Sequence, residues 1–278
     1  MYNFTKEELK TACIIGDPIS HSLSPHIHNY WIKQNKLNAL YVPFRVSSED
    51  LEKAVHGLRS LNISGFNITI PHKENIIKFV DEIDDYSKKI GAINTVLNNG
   101  GKFIGTNTDP IGFINGLMQS KHSWNKNQPV LVIGAGGAAR AVLAALEKEN
   151  ISEIRITNRT ISRANNVAKN FKNIVVGNWG DINLLKDIGL LINTTSLGML
   201  NNAELNLDYK FFSKDTIVYD LVYNPLKTPL ILKTQSLGAR TISGLDMLLH
   251  QARPGFMQWF GFTPKIDEEL KKFLISGI

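Results

Sequence analysis

The sequence predicts an α/β protein with two successive α/β domains and helices at the C-terminal end. Three observations carry this prediction. The first hundred residues alternate strand-like and helix-like segments. Residues 130–160 then read as a strand, a glycine-rich turn, a helix and a second strand. Further β-branched runs follow before the chain ends in helix-like segments, as in a second α/β domain.

Composition and charge narrow the class of protein. The chain has 278 residues, of which 43% are hydrophobic and 20% charged, which is ordinary for a soluble protein of one large or two ordinary domains. The net charge is +6, but the basic residues are scattered and form no stripe with interleaved aromatics. We therefore expect attraction for anionic small molecules and no nucleic-acid partner.

The only cysteine, Cys13, precludes an internal disulfide. It falls in the apolar run of residues 12–15, which predicts a buried strand residue rather than a nucleophile. The first residues do not have the pattern of a signal peptide, and no run of 18 apolar residues occurs. We expect no membrane partner, a cytoplasmic location, and either a monomer or a homodimer.

The elements of the first domain follow in order. The sequence predicts strands at residues 12–16, 41–46 and 65–70, and helices at 25–34, 48–61 and 73–79. That order favours a mostly parallel sheet. The run Asn98-Asn99-Gly100-Gly101 predicts a hairpin turn between residues 94–97 and 102–105. A helix at 109–120 leads out of the domain, and a polar loop at 121–129 follows.

The second domain begins at Val130. Its first strand, residues 130–133, is a short apolar run, as expected of a parallel strand that is buried on both faces. Further strands are predicted at residues 154–157, 173–176, 190–194 and 216–220, and C-terminal helices at 245–259 and 267–275.

A glycine motif directly follows that first strand. Residues 134–139 have the form G-x-G-x-x-A and open a helix. Glycines there let the backbone turn tightly and lie against a pyrophosphate, while the helix N-terminus presents free N–H groups to that anion. The same letters alone would also fit an ordinary loop, but this context predicts a Rossmann-type dinucleotide site.

The end of the next strand indicates which dinucleotide binds. NAD-binding units usually carry Asp or Glu about 20 residues on, where it accepts from the ribose 2′-hydroxyl. Here the strand ends in Asn158-Arg159-Thr160, with Arg163 one turn later and no acidic residue. Because a guanidinium can hold a phosphate with paired, charge-assisted hydrogen bonds, we predict NADP as the cofactor.

Residues 65–73 alternate polar and apolar side chains. Alternation puts Asn67 and Thr69 on one face of a strand and Ile68 and Ile70 on the other. Two interpretations stay open: the polar pair lines a pocket, or the segment is an edge strand with a solvated face.

Residues 90–95 and 105–109 are similar polar insertions beside small residues. Asp109 stands at a predicted helix start, where it could be an N-cap alone. A lysine beside a carboxylate in a partly closed cleft would instead make a proton-transfer pair.

Residues 21–28 contain three histidines and suggest a metal site. Two of them stand two apart on the predicted helix and point in divergent directions, and no Cys or acidic ligand lies nearby, so we predict no metal. Pro25 fits the first helical position and Ser24 the N-cap. Ser22 and Ser24 either form an anion site at the helix N-terminus or belong to an ordinary Ser-Pro cap.

Together these segments resemble shikimate dehydrogenase, the NADP-dependent enzyme family of aromatic amino-acid and chorismate biosynthesis. The matching segments run in family order from residue 16 to 256: GDPISHSLSPHIHN, GFNITIPHK, GAINTV, GTNTD, VIGAGGAARA, NRT, NTTSLGM, YDLVYNPLKTPL and GLDMLLHQARPGF. The resemblance implies a substrate domain at residues 1–108 and a Rossmann-type NADP-binding domain at 109–244. It also implies that C-terminal helices, at 245–278, pack back on the first domain, which would place Gln251 across from Asn67.

The resemblance further implies an oxidoreductase that reversibly reduces 3-dehydroshikimate to shikimate with NADPH. Lys73 would be its acid/base residue and Asp109 the partner of that lysine. The substrate-binding positions are Ser22, Ser24 and Tyr223 for the carboxylate, and Asn67, Thr69, Asn94 and Gln251 for the ring hydroxyls or the shape of their pocket. The cofactor-binding positions are Asp85, Gly134, Ala135, Gly136, Gly137, Ala138, Asn158, Arg159, Thr160, Arg163, Thr194, Ser196, Met199, Leu221 and Gly244.

Two departures from the family pattern stand out. Pro110 replaces a usual glycine after the N-T-D segment, and a proline at the first helical position is compatible with Asp109 as N-cap. Arg253-Pro254-Gly255 interrupts the helix expected after Gln251, which predicts a bend there.

Other functions stay open. One is a quinate/shikimate dehydrogenase that also accepts NAD, against which Arg159 argues. Another is a catalytically silent NADP(H) sensor, against which the retained Lys73 and Asp109 argue. A glutamyl-tRNA-reductase-like protein would need a catalytic cysteine in its own domain, and Cys13 is badly placed for that role.

Overall fold

A computed structural model describes residues 8–120 and 124–276, and the chain divides into two compact units. The first unit comprises the chain up to Thr108 and again from Gln251, and the second comprises residues Asp109–His250. The chain thus leaves the first unit after Thr108 and returns to it at Gln251. Within the second unit, Gly244 lies against the backbone of Leu221.

The first unit is built on a six-stranded mixed sheet. Its strands are β1 (Lys10–Gly16), β2 (Ala39–Arg45), β3 (Gly65–Ile68), β4 (Glu82–Ile83), β5 (Thr95–Asn99) and β6 (Lys102–Thr106), in the order β2-β1-β3-β5-β6-β4. The pairs β1–β2, β1–β3 and β4–β6 are parallel, whereas β5 is antiparallel to β3 and β6. The predicted hairpin is confirmed as β5–β6, and it makes the sheet less uniformly parallel than expected.

Strand β3 decides one open question. It lies between β1 and β5, so the edge-strand interpretation of residues 65–70 is wrong. The strand ends at Ile68, which is buried, whereas Ile70 lies beyond the strand and is 53% exposed. Cys13 is fully buried opposite Phe66 in the same sheet, as predicted.

The helices of the first unit are α1 (Ser24–Gln34), α2 (Leu51–Ser60), α3 (Asp85–Ile90) and α9 (Glu268–Ile275). The helix predicted at 73–79 is a shorter 3-10 helix, Asn75–Phe79, so Lys73 precedes it in a turn. The small element β4 and helix α3 had no clear sequence signal. Asp84 caps α3 by accepting a hydrogen bond from the Ser87 amide.

The second unit contains a six-stranded sheet in which every pairing is parallel. Its strands are β7 (Val130–Ile133), β8 (Ile154–Thr157), β9 (Ile174–Gly177), β10 (Leu190–Asn193), β11 (Ile217–Asp220) and β12 (Arg240–Ser243), in the order β12-β11-β10-β7-β8-β9. The helices are α4 (Asp109–Gln119), α5 (Gly137–Lys148), α6 (Ile161–Ala168) and α7 (Pro229–Ser236). This is the doubly wound Rossmann order, whose direction reverses between β7 and β10 and opens a crevice at the carboxyl ends of those strands.

Helix α8 (Gly244–Phe260) starts in the second unit and continues into the first. The predicted interruption of the helix is wrong, because the helix runs unbroken through Pro254. Proline removes one amide donor from the helix ladder, but packing offsets that loss. Phe256 is fully buried, and the Trp259 indole donates to the Val96 carbonyl at 2.9 Å. Among the described residues, no helix has the length and apolar character needed to span a membrane.

Candidate functional site

Asn67 lies in the middle of a buried polar cluster in the first unit. It is 4% exposed on β3. Its side-chain nitrogen donates to the Asn94 carbonyl at 3.1 Å and to the Thr95 hydroxyl at 3.0 Å. Its side-chain oxygen accepts from the Tyr41 hydroxyl at 2.6 Å. Asn67 is therefore held from three sides, and one lone pair of its oxygen is left for a further donor.

Asn94 extends the cluster toward the C-terminal part of the chain. Its side-chain oxygen accepts from the Thr95 hydroxyl at 2.9 Å and from the Thr108 amide at 2.9 Å. Its nitrogen donates to the Gln251 side-chain oxygen at 3.1 Å. The Thr108 hydroxyl donates to the Gln251 carbonyl at 2.8 Å. Strand, hairpin and C-terminal helix thus meet at three of the predicted substrate positions.

Lys73 and Asp109 occupy well-anchored positions. The Lys73 carbonyl accepts from the Ile93 amide at 2.8 Å, and the neighbouring His72 ring lies 2.7 Å from the Val46 carbonyl, so the backbone is fixed on both sides of the half-buried lysine. Asp109 is 3% exposed and directly follows Thr108 in the chain. Helix α4 begins at Asp109 itself, so the aspartate belongs to the first helical turn. Its pairing with Lys73 stays a prediction.

The two serines at the start of α1 differ in environment. Helix α1 begins at Ser24, and the N-cap is Leu23 without a side-chain cap, so the predicted capping role of Ser24 is wrong. The Ser22 hydroxyl oxygen accepts from the Ser24 amide at 3.3 Å, and Ser22 is half-buried. Ser24 is 3% exposed. Its hydroxyl bonds to Tyr41, whose pKa burial raises and the Ser24 hydrogen bond lowers. Thr69, after β3, is half-buried as well.

The three histidines near these serines do not form a cluster. His21 and His26 are exposed, whereas His28 is fully buried and stacks on Tyr41 with ring centroids 4.1 Å apart. In the described part of the chain, no cluster of three or more His, Cys, Asp or Glu side chains could hold a metal ion.

The glycine motif lies at the carboxyl end of β7, beside the crevice of the second unit. Gly134 has φ +113°, which favours glycine, and a Cβ there would collide with the Thr194 hydroxyl. A Cβ at Gly136 would meet no described atom within 4 Å, so the space beside it is open. Helix α5 starts at Gly137, and Ala138 lies in its first turn. Free amides at a helix N-terminus beside an open space suit a pyrophosphate.

Two cationic side chains follow the end of β8. Arg159 and Arg163 are exposed, and no acidic residue occurs in the first turn of α6. Thr160 is the N-cap of that helix without a side-chain bond, and the Asn158 amide holds the turn by donating to the Thr160 carbonyl at 2.9 Å. Two guanidinium groups at a helix N-terminus fit a phosphate monoester, which is what distinguishes NADP from NAD.

The loop after β10 faces the same crevice and is held by Asn193. The Asn193 oxygen accepts from the Thr195 amide at 3.1 Å and the Thr195 hydroxyl at 2.7 Å. Its nitrogen donates to the Leu197 carbonyl at 3.1 Å and to Asp220 at 2.9 Å. The predicted cofactor positions Thr194, Ser196 and Met199 lie in this loop. The Thr194 hydroxyl also donates to the Ile133 carbonyl at 2.8 Å, which ties the loop to β7.

Asp220 anchors a second loop, at the end of β11. Its carboxyl group is fully buried and accepts from the Thr228 hydroxyl, from the Val222 amide at 3.1 Å and from Asn193. Burial raises the pKa of this carboxyl, and these hydrogen bonds oppose that shift. Leu221, next to Asp220, lies against Gly244, so these two predicted cofactor positions are neighbours. Tyr223 follows in the same loop and is half-buried.

Asp85 is placed differently from the other predicted cofactor residues. It belongs to the first unit, at the start of α3, where its side chain is fully exposed and pairs with Lys88 at 3.1 Å. Nothing in its surroundings distinguishes it from a surface helix residue.

Several residues of the clusters were not predicted as site residues. Thr95 and Thr108 stood in the polar segments that the sequence analysis singled out, and their position beside Asn94 was the available signal. Tyr41, Asn193 and Asp220 lie in or at the end of strands with apolar neighbours, where sequence alone offers no such signal.

The comparisons with known proteins all indicate the same family. A model of the shikimate dehydrogenase substrate binding domain matches residues 14–96, and a shikimate / quinate 5-dehydrogenase model matches residues 116–200. The NADP(+)-dependent shikimate dehydrogenase of Jannaschia sp. (strain CCS1) is 39% identical over 277 residues, 98% of this chain and 100% of that protein.

Solved structures agree with the sequence relatives. A crystal structure of a shikimate dehydrogenase in complex with NADP+ has a TM-score of 0.89 and 38% identity, and the match covers 97% of this chain and 96% of that one. A shikimate 5-dehydrogenase from Thermus thermophilus in complex with NADP(H) and shikimate has a TM-score of 0.87 and 29% identity, over 97% of this chain and 100% of that one.

Proposed function

This chain belongs to the shikimate dehydrogenase family, and from that premise we propose that it catalyses the reversible NADPH-dependent reduction of 3-dehydroshikimate to shikimate. We further propose that the first unit binds the substrate and the second unit the cofactor. The single observation that carries the proposal is the cluster of Asn67, Asn94 and Gln251, which joins residues up to 184 positions apart (251 − 67) into one hydrogen-bonded group.

The residues of the second unit suit NADP. Gly134, Ala135, Gly136, Gly137 and Ala138 would lie along its pyrophosphate, and Asn158, Arg159, Thr160 and Arg163 would hold the 2′-phosphate. When bound, the cofactor supplies the hydride, and the protein supplies position and a proton. The loops held by Asn193 and Asp220 fix Thr194, Ser196, Met199, Leu221 and Gly244 along the same crevice.

The residues of the first unit suit a polyhydroxylated ring acid. Ser22, Ser24 and Tyr223 would bind the carboxylate, while Asn67, Thr69, Asn94 and Gln251 would bind the hydroxyls or shape the pocket. Lys73 would donate a proton to the alkoxide that forms on reduction, or stabilise it as a cation. Asp109 would hold the ammonium group in place. Asp85 is the weakest member of the proposed cofactor set, because it is a surface residue paired with Lys88.

The test is reduction of NADP by the purified protein with shikimate as substrate, followed by the absorbance of NADPH. Lys73→Ala should lose turnover by about 10²-fold or more and still bind NADPH, since general acid–base catalysis contributes about that much. Turnover near that of the wild type in the folded variant would remove Lys73 from the mechanism.

A second candidate function is oxidation of quinate, because the matching family model covers both substrates. The same assay with quinate, and with NAD in place of NADP, separates the two. Faster turnover with quinate and NAD would favour the second candidate, and no turnover with either substrate would favour a silent NADP(H) sensor. The cytoplasmic location and the monomeric or dimeric state stay predictions.

A further inference from the structure

Backbone groups fix the orientation of the two central carboxamides of the buried cluster, those of Asn67 and Asn94. The Asn67 side chain must turn its nitrogen toward the Asn94 carbonyl, because an oxygen there would face another acceptor. The Asn94 side chain must turn its oxygen toward the Thr108 amide for the opposite reason. Neither carboxamide can therefore be reversed without placing like groups together.

Once these two side chains are oriented, the short bonds of the Tyr41 and Thr95 hydroxyls follow. The Asn67 oxygen faces Tyr41, so the Tyr41 hydroxyl donates to it. Thr95 accepts from the Asn67 nitrogen and donates to the Asn94 oxygen. The chain of donors thus runs from Tyr41 through Asn67 and Thr95 to Asn94, and from there to Gln251.

Tyr41 is rigidly placed at the start of this chain. Its side chain is 1% exposed on β2, and its ring stacks on His28 with an interplanar angle of 10°. Its backbone is held by Asn29, whose side chain accepts from the Tyr41 amide at 3.1 Å and donates to its carbonyl at 2.7 Å. Its hydroxyl proton goes to Asn67 at 2.6 Å.

We propose that Tyr41 is a positioning residue for the substrate pocket: backbone groups set which way the Asn67 carboxamide faces, and Tyr41 holds it there by donating to its oxygen and so supports the donor chain to Asn94 and Gln251. The inference rests on the proposed function, because it is these carboxamides that would meet the ring hydroxyls. Both hydrogens of the Asn67 nitrogen are used inside the protein, so Asn67 can only accept from a substrate hydroxyl. Tyr41 keeps that oxygen aimed and polarised without touching the substrate.

The experiment is Tyr41→Phe, which removes the hydroxyl and keeps the stacked ring. We expect the KM for shikimate to rise about tenfold, since one hydrogen bond is lost and its acceptor stays buried. The KM for NADP should change by less than about twofold. A residue that only stabilises the fold would lower the melting temperature and leave the KM for shikimate unchanged, and that result would overturn the inference.

Tyr209→Phe is the matched control. It also removes a tyrosine hydroxyl with one backbone acceptor, the Leu205 carbonyl at 3.2 Å, but in the second unit and away from the cluster. The KM for shikimate of this variant should equal that of the wild type. A tenfold rise there as well would show that the assay responds to general loosening of the protein, and it would overturn the inference.

Substitution of Thr95 breaks the donor chain at a second point, and it tests the inference if Tyr41→Phe fails to fold. Thr95→Val should raise the KM for shikimate, whereas Thr95→Ser, which keeps the hydroxyl, should restore it. The double variant Tyr41→Phe/Thr95→Val should be no worse than the more damaging single variant, because both break one chain. Fully additive effects would mean that the two residues act separately, against the inference.

The turnover of the wild type separates the positioning role of Tyr41 from the proposed function. If the wild type turns over shikimate and neither Tyr41→Phe nor Thr95→Val changes its KM, the positioning role is overturned and the proposed function stands. If the wild type does not turn over shikimate with NADP, the proposed function fails, and the positioning role fails with it.

Discussion

At the scale of single residues, the two serines at the start of α1 divide their work. Ser24 is buried, and a hydrogen bond between its side chain and Tyr41 opposes the rise that burial causes in the pKa of the tyrosine. Ser22 is half-buried, and its hydroxyl oxygen accepts a hydrogen bond from the Ser24 amide. The Ser22 hydroxyl proton therefore points away from that amide. We therefore expect Ser22 to bind the substrate carboxylate directly and Ser24 to act chiefly through the cluster.

The serine pair gives the first prediction. Ser22→Ala should raise the KM for shikimate while the melting temperature changes little, because the half-buried hydroxyl makes only one long bond to the helix, from the Ser24 amide at 3.3 Å. Ser24→Ala should raise the KM for shikimate and also lower the melting temperature, since it removes a buried hydrogen bond with Tyr41 at a cost of about 1–3 kcal/mol. Steady-state kinetics and thermal unfolding of both variants check this. A loss of stability in Ser22→Ala with an unchanged KM would assign it to the helix instead.

Arg159 gives the second prediction. Arg159→Ala should weaken the binding of NADP by about 1.5–3 kcal/mol, the typical value of a hydrogen bond to a charged group. The KM for NAD should stay nearly unchanged. Lys169→Ala, an exposed cation at the other end of α6, serves as the control and should affect neither cofactor. Equal weakening of NADP and NAD by Arg159→Ala would show that the arginine supports the loop rather than the 2′-phosphate.

At the scale of elements, the site consists of loops that leave the ends of strands, and buried side chains hold those loops. Asn193 and Asp220 end the adjacent strands β10 and β11 and are bonded to each other. Each then binds the loop that follows its own strand, so the crevice walls are set by a pair in the sheet. Thr228 completes the pair by joining Asp220 to the first turn of α7.

Thr228 gives the third prediction. Thr228→Val should destabilise the protein by about 2–4 kcal/mol, because it removes the N-cap of α7 and leaves a buried carboxylate oxygen without its donor. Thr234→Val in the same helix is the control. The Thr234 hydroxyl donates only to the Leu230 and Ile231 carbonyls of its own helix, so its loss should cost less than about 1 kcal/mol. Urea unfolding of the two variants compares these values, and similar losses would contradict the assigned role of Asp220.

Elements with a strong local pattern could be predicted from the sequence. The glycine motif between β7 and α5, the strand that precedes Asn158 and the hairpin turn at Gly100 all lie where expected. Elements fixed by distant contacts could not be predicted. Helix α8 continues through Pro254 because Trp259 bonds to Val96 of β5 and Phe256 packs against Trp31 of α1, both far away in the sequence. The Asn67 cluster depends on partners from four separate segments. No pattern within a short window records such contacts.

At the scale of the whole molecule, the buried histidine behind the Asn67 cluster makes stability depend on pH. His28 is fully buried among aromatic rings, and neither of its ring nitrogens has a partner among the described residues. Burial lowers its pKa from 6.5 to about 3. Between these values the unfolded chain takes up a proton at His28 and the folded protein does not, so the folded state loses stability as the pH falls below 6.5.

His28 gives the fourth prediction. His28→Phe removes this proton uptake and keeps an aromatic ring against Tyr41. The stability of the variant relative to the wild type should therefore improve by about 1.4 kcal/mol for each pH unit below 6.5 and stay constant above about pH 7. Denaturant unfolding at several pH values measures the difference. A flat difference for His28→Phe would mean that the buried ring finds a proton acceptor.

The discontinuous first unit has a consequence for the order in which the protein can form during synthesis. Its sheet is made from the earliest part of the chain, yet Gln251, Phe256 and Trp259 complete its core and its polar cluster from the latest part. The second unit, by contrast, is one continuous stretch from Asp109 to His250. On the ribosome, where domains generally fold as they emerge, the half that is made first must wait for the half that is made second. The proposed substrate pocket would therefore be the last part of the protein to form, and a chain released early would carry the second unit without it.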